Sequence, residues 1–206
     1  MGIFAIGVTG GSGAAYTTRL VEALLDLGHD IKLVVSAAGE RVFQIEQGLT
    51  AVTDRKNRQD QWSKLVNAGQ RAGNLQLLDQ NDYAASIASG SFPTQGMVIV
   101  PCSMGTLARI AGGSSSNLIE RTADVMLKER RKLILVPREA PYSLIHIRNM
   151  LAITEAGGEI LPASPGFYHN PKSIDDLVSF IAGRILDRLG VPNIISPSWT
   201  GDPAKT

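Results

Sequence analysis

Three short stretches of this sequence bring glycine and hydroxyl side chains together where a strand gives way to a helix. The first is Thr9-Gly10-Gly11-Ser12-Gly13-Ala14. Glycines let a backbone approach an anion, and a helix N-terminus offers free N–H groups and partial positive charge. The loop therefore suits a phosphate. It is not G-x-G-x-x-G, since position 15 is Ala15, and it lacks the Lys of a P-loop. The plainer reading is a Gly-rich tight turn with an N-cap serine. The second is Ser36, at the end of an apolar run, where a serine caps a helix or binds a ligand. No acidic residue stands there to read an adenosine ribose. The third is Pro101-Cys102-Ser103-Met104-Gly105-Thr106-Leu107. Two hydroxyl-bearing loops at separate strand ends could clasp a ring and its phosphate from two sides. Cys102 is the sole cysteine and has no histidine near it in sequence, so a core role outweighs a nucleophilic one. The three histidines, His29, His146 and His169, lack metal-ligand spacing. Glu46 and Arg184 follow apolar residues at helical spacing and need a partner or a route to water. Arg121, Lys128 and Arg138 add cations near strand ends and Glu139 a carboxylate; several cations around a pocket suit a phosphorylated substrate.

Those side chains need a scaffold, and the hydrophobic pattern supplies one. Strands are expected at 3–8, 31–35, 97–100, 133–136 and 159–161, and helices at 14–27, 37–47, 117–128, 144–156 and 173–189. On the first helix Tyr16, Leu20, Ala23, Leu24 and Leu27 share a face. Ser173 with Asp176 three residues on opens the last. Alternating strands and helices imply a three-layer α/β fold with a parallel sheet covered on both faces, flavodoxin-like or Rossmann-like. Ligands in such sheets sit beyond the carboxyl ends of the strands. The region 54–71 is polar and least patterned. One domain over 1–190 with a tail over 191–206 fits the length of 206 residues. A net charge of +1 gives no field for nucleic acid or anionic membrane. With one cysteine no intrachain disulfide can form, which fits a reducing, cytoplasmic setting. No apolar run approaches a membrane span, and the start runs straight into a strand with no basic leader.

Taken together, several stretches resemble the flavin prenyltransferase (UbiX) family. They are the glycine loop, Ala88-Ser89-Gly90-Ser91, residues Pro101 to Leu107, Asn117 to Val125, Leu127-Lys128-Glu129-Arg130-Arg131, Pro137-Arg138-Glu139-Ala140-Pro141 and Pro165-Gly166-Phe167-Tyr168-His169. They occur in family order along nearly the whole chain. Gly11 stands where the family usually has Ala, and Met104 fills a variable place; neither change removes a functional group.

The resemblance implies a metal-independent transferase and a homododecamer with active sites between subunits. Gly10, Gly11, Ser12, Ser36, Ser103, Met104, Gly105, Thr106 and Arg138 would hold FMN. Tyr168 and Arg184, with Lys128, would hold the phosphate of dimethylallyl phosphate, and Trp199 would cover the site. Ser12, Glu46, Arg121, Lys128 and Glu139 would line the catalytic centre, Glu139 with Ser12 as a proton relay. The implied reaction joins the prenyl carbon to N5 of reduced FMN, expels phosphate and closes a ring at C6. The prenylated FMN would then serve a separate decarboxylase. Alternatives are a flavin-dependent decarboxylase of cysteine-containing substrates, whose histidine and Asn-containing motif are not found, a direct aromatic acid decarboxylase, and a plain electron carrier.

Overall fold

Six parallel strands lie in the order β3-β2-β1-β4-β5-β6 in a computed structural model that describes residues 1–50 and 55–195. In chain order the elements are β1 (Ile3–Val8), α1 (Ala14–Asp26), β2 (Asp30–Val35), α2 (Ala37–Gln47), α3 (Arg55–Leu65), β3 (Leu75–Leu78), β4 (Thr94–Cys102), α4 (Met104–Ala111), α5 (Leu118–Lys128), β5 (Lys132–Pro137), α6 (Leu144–Glu155), β6 (Glu159–Ile160) and α7 (Ile174–Leu189). The order is that of a doubly wound nucleotide-binding sheet, and it reverses between β1 and β4, so a crevice opens at their carboxyl ends.

Alternation along the strands divides the core in two. Phe4, Ile6 and Val8 of β1 face α1, α2, α3 and α7, joining Leu20, Leu24, Phe43, Trp62, Ile181 and Ile185. Met97 and Ile99 of β4, with Leu133 and Leu135 of β5, face α4, α5 and α6 and join Leu107, Ile119, Met126 and Ile153. The expected sandwich is therefore present, with three differences of detail. The region 54–71 contains α3, which is polar around most of its circumference but pinned to the core by Trp62. Strand β3 is only four residues long, too short to show a strand period. Leu27 is the C-cap of α1 and is exposed, so it leaves the apolar face expected of it.

The helix starts are set by side chains. Ser36, Ser103, Asn117, Ser143 and Ser173 each accept a hydrogen bond from a backbone N–H in the first turn of α2, α4, α5, α6 and α7 respectively. Helix α6 is unusual in that Ile153 is its sole buried residue, while Leu144, Ile145, Ile147 and Leu151 are more than half exposed. No described helix is long and apolar enough to cross a membrane.

Candidate active site

The crevice at the strand reversal is a cleft of about 360 Å³ lined by Thr9, Gly10, Ser36, Ala37, Ala38, Gln80, Ser103, Thr106, Arg109, Asn117 and Ile119. Ser36, Ser103 and Asn117 are the caps of α2, α4 and α5, so three helix N-termini converge on one space. Hydroxyl groups hold its floor. Thr9 Oγ1 donates to the carbonyl of Pro101 at 3.0 Å and accepts from the Ser103 amide at 2.7 Å. Ser103 Oγ lies 3.1 Å from Thr106 Oγ1. Gathered helix N-termini, hydroxyls and a guanidinium suit a phosphate.

Arg109, held by the buried Glu120, forms the polar wall. Arg109 Nε donates to Glu120 Oε1 at 2.6 Å, and Nη2 donates to Thr106 Oγ1 at 3.2 Å. The Glu120 side chain is 0% exposed, whereas that of Arg109 is 48% exposed. The Ser116 amide and Asn117 Nδ2 each donate to Glu120 at 2.9 Å. Burial pushes the carboxyl upward, but these donors outweigh it and hold Glu120 below the ordinary carboxylate range. Neither Arg109 nor Glu120 was assigned a role by the sequence. Asn117 and Glu120 do stand at cap-and-third-residue spacing, a helix-start pattern, yet nothing local links them to Arg109.

The glycine loop meets a carboxylate of its own chain while Gly10 lines the cleft. Glu46, at the end of α2, covers the N-terminus of α1: its Oε2 accepts from the Gly13 amide at 3.0 Å and the Ala14 amide at 2.8 Å. The anion at this helix start is the chain's own carboxylate, and the cleft lined by Gly10, Ser36 and Ser103 lies beside it. Burial raises the Glu46 carboxyl, but the Ser12 hydroxyl, the two amides and nearby Arg138 pull it below its ordinary value. Gly10 and Gly11 are packing residues as well: a Cβ on Gly10 would meet that of Ala38 at 2.9 Å, and one on Gly11 that of Pro101 at 3.2 Å. Gly13 has φ +123°, where a side chain would be strained.

Arg138 extends this cluster along the strand ends. Its Nε is 3.4 Å from the carbonyl of Ser12. The Tyr16 phenol beside it is pushed up by burial and partly pulled back by that guanidinium. Glu139 is exposed, and its carboxylate accepts from the Ala140 amide at 3.2 Å. Within the chain the carboxylate that meets Ser12 is Glu46, while Glu139 stands next to Arg138 on the same side. Met104 is buried in the core, which leaves its backbone as its contribution, while Gly105 is exposed beside it.

The remaining expected residues lie elsewhere within one chain. Arg121 binds the carbonyl of Ala88 at 3.2 Å and Asp124 at 2.8 Å. Lys128 pairs with Glu129. Helix α5 starts at the cleft and runs 11 residues, about 16 Å, back toward the amino ends of the strands, which places Lys128 at the opposite end of the sheet from the Ser12 loop. Arg184, expected among apolar neighbours, is half exposed and bonds Asp187 at 3.0 Å. It lines a second cavity of about 560 Å³ beside the edge strand β6, together with Phe180, Ser164 and Arg188. Tyr168 packs edge-on against Phe180 at 5.8 Å, so Tyr168 and Arg184 flank the same ring. Trp199 lies outside the described residues. Cys102 is fully buried, and burial pushes its thiol up to about 12, which leaves no thiolate for chemistry. Among the described residues no group of three or more metal-ligating acidic, His or Cys side chains occurs.

Comparison with known proteins agrees with this geometry. The flavoprotein family model matches residues 4–186. The flavin prenyltransferase UbiX of Halalkalibacterium halodurans is 49% identical over 198 residues, 96% of this chain and 93% of that one. Among solved structures, AnUbiX (PadA1) in complex with FMN and dimethylallyl pyrophosphate is 39% identical with a TM-score of 0.84, over 97% of this chain and 98% of that one. A dodecameric FMN-dependent UbiX-like decarboxylase from Escherichia coli O157:H7 is 37% identical with a TM-score of 0.83, over 97% and 100% of the two chains. A nucleotide-type sheet, a cleft at its reversal lined by helix N-termini, and likeness of this extent converge on one assignment: the chain belongs to the flavoprotein family and, within it, to the UbiX-type flavin prenyltransferases.

Proposed function

We infer that this chain transfers a dimethylallyl group from dimethylallyl phosphate to reduced FMN, with the FMN phosphate seated in the cleft between β1 and β4. The observation that carries this reading is the convergence of the α2, α4 and α5 N-termini with Ser36, Ser103, Thr106 and Arg109 on one cleft. The residues present fit the flavin: donors for a phosphate lie at one end, and an exposed Gly10 beside the Ser12, Glu46 and Arg138 cluster lies at the other. Bound FMN supplies the ring nitrogen and ring carbon to which the prenyl chain is joined.

The chain's own groups do the rest. Arg138 fixes the Ser12 loop at the end of β5. Ser12 donates to a Glu46 carboxylate held ionised by two backbone amides, a pair suited to accept and pass on a proton. Glu139, next to Arg138, is the second candidate base. Tyr168 and Arg184 would take the prenyl phosphate, and cations around it would stabilise the charge that develops as it leaves. Trp199 would close the site. Lys128, the last residue of α5, sits too far along that helix to serve the cleft of its own chain, and Arg121, on the first turn, is bonded to Ala88 and Asp124, so both would act in the site of a neighbouring copy. The apolar face of α6 supports assembly, since a row of exposed Leu and Ile calls for a partner surface. A homododecamer is the proposed assembly, and a decarboxylase that uses the prenylated flavin is the proposed consumer. The alternative, a decarboxylase of cysteine-containing substrates, is weaker: the FMN-dependent cysteine decarboxylase SpaF is 17% identical and shares the fold alone.

Subunit mixing tests the reading. Ser12→Ala and Lys128→Ala chains should each be nearly inactive in phosphate release from dimethylallyl phosphate with reduced FMN. Dissociated and reassembled together, they should regain a substantial part of wild-type activity, because some sites draw both intact residues from different chains. No recovery would refute the shared site, and no release by the wild type would refute the reaction.

A further inference from the structure

Among the described groups that line the cleft, Arg109 alone carries a full positive charge, and the buried Glu120 holds it there. Glu120 occupies the Nε edge of the guanidinium, and Thr106 takes one hydrogen of Nη2. Nη1 has no hydrogen-bond partner among the described residues and lies over Gly105, where a Cβ would come within 3.5 Å of it. Arg109 itself lines the cleft, and the half of its guanidinium turned from Glu120 is left for another acceptor. A buried carboxylate with three donors is a rigid mount. It removes the rotamer freedom that usually weakens an arginine contact.

We propose that Arg109 is the specificity-determining residue for the flavin's phosphate: its open Nη edge clamps the phosphate of FMN, with Glu120 as the positioning residue that aims it. This rests on the reading that the cleft holds that phosphate. Helix N-termini and hydroxyls favour any anion, but a guanidinium fork matches two phosphate oxygens at once and adds a full charge. The clamp would make the site discriminate FMN from riboflavin, which differs by that phosphate alone.

The test measures binding of oxidised FMN and of riboflavin by fluorescence quenching, at several salt concentrations, with the full chain and the variants Arg109→Gln, Arg109→Lys and Ser103→Ala. Arg109→Gln should weaken FMN by roughly 10–100-fold, leave riboflavin within about 2-fold, and flatten the salt dependence of FMN binding. Unchanged riboflavin affinity shows that the variant is folded. Arg109→Lys, which keeps the charge beside Glu120, should retain the salt dependence while losing about several-fold in FMN affinity through its missing fork. Ser103→Ala should also narrow the preference for FMN. If Ser103→Ala narrows it while Arg109→Gln keeps wild-type preference and salt dependence, the clamp is refuted and the cleft reading stands. If no variant narrows it, the phosphate lies elsewhere, and both fall together.

Discussion

Replacing Arg109 by Ala should reverse the sign of Glu120's contribution to stability. In the wild type this carboxyl lies below its ordinary value of 4.5, because burial is outweighed by Arg109, the Ser116 amide and Asn117. A group lowered on folding contributes stability that is present above the unfolded value and lost as pH falls through the folded one. Without Arg109, Glu120 keeps the donors at Ser116 and Asn117, both at 2.9 Å, but loses its cation. Burial then dominates, and the folded value rises above the unfolded one. The carboxyl becomes a penalty at neutral pH that disappears as it protonates. Removing one partner of a buried pair costs about 3–5 kcal/mol, and the surviving hydrogen bonds and the α5 N-terminus favour the low end, about 3 kcal/mol at pH 7. The gap from wild type should shrink by roughly half by pH 4. Urea unfolding at fixed protomer concentration, from pH 7 to pH 4, measures it. The double variant Arg109→Ala/Glu120→Gln, which buries no charge, should regain part of the loss. A gap that is constant across pH, or a double variant no more stable than the single one, would refute the reasoning.

Glu46→Ala should uncover the Gly13 and Ala14 amides and cost about 1 kcal/mol in thermal or urea unfolding, small because Glu46 is exposed. Its contribution, like that of Glu120, should be present above the ordinary carboxylate value and fade as pH falls through the lowered one. Glu139→Gln should fold and bind FMN as the wild type does; if Glu139 is the final base, phosphate release should persist while product formation slows about 10²–10⁴-fold, and equal rates would hand that role to Glu46. Cys102, buried with a thiol pushed up to about 12, should resist iodoacetamide at pH 8 in the native protein; complete alkylation within minutes would contradict its placement. Calorimetry should show FMN preferred over NAD and FAD.

The sequence made the scaffold legible where local chemistry and periodicity agree. The apolar run of β1, the Ser173–Asp176 capping box and the bounds of α2 follow from neighbours in the chain, and the structure has them there. Helix α3 was hidden because its tie to the core rests chiefly on Trp62, and β3 because four residues are too few to show a period. The site was legible as a set of loops but not as an arrangement. That Glu46, 32 residues beyond Ala14, would cap α1 depends on how α2 packs. The Arg109–Glu120 pair forms only when α4 and α5 are set side by side. Lys128 and Ser12 share the motif string, yet helix length alone holds them apart.

The exposed row on α6 bears on how the protein is made. Leu144, Ile145, Ile147 and Leu151 cannot be covered until a chain has folded far enough to present them. Assembly from folded chains is bimolecular, so its rate falls with dilution, while coalescence of chains with bare apolar faces accelerates with concentration. Refolding yield should therefore pass through a maximum at intermediate protein concentration. A charge introduced at Ile145 should abolish that maximum and leave a folded but unassembled chain.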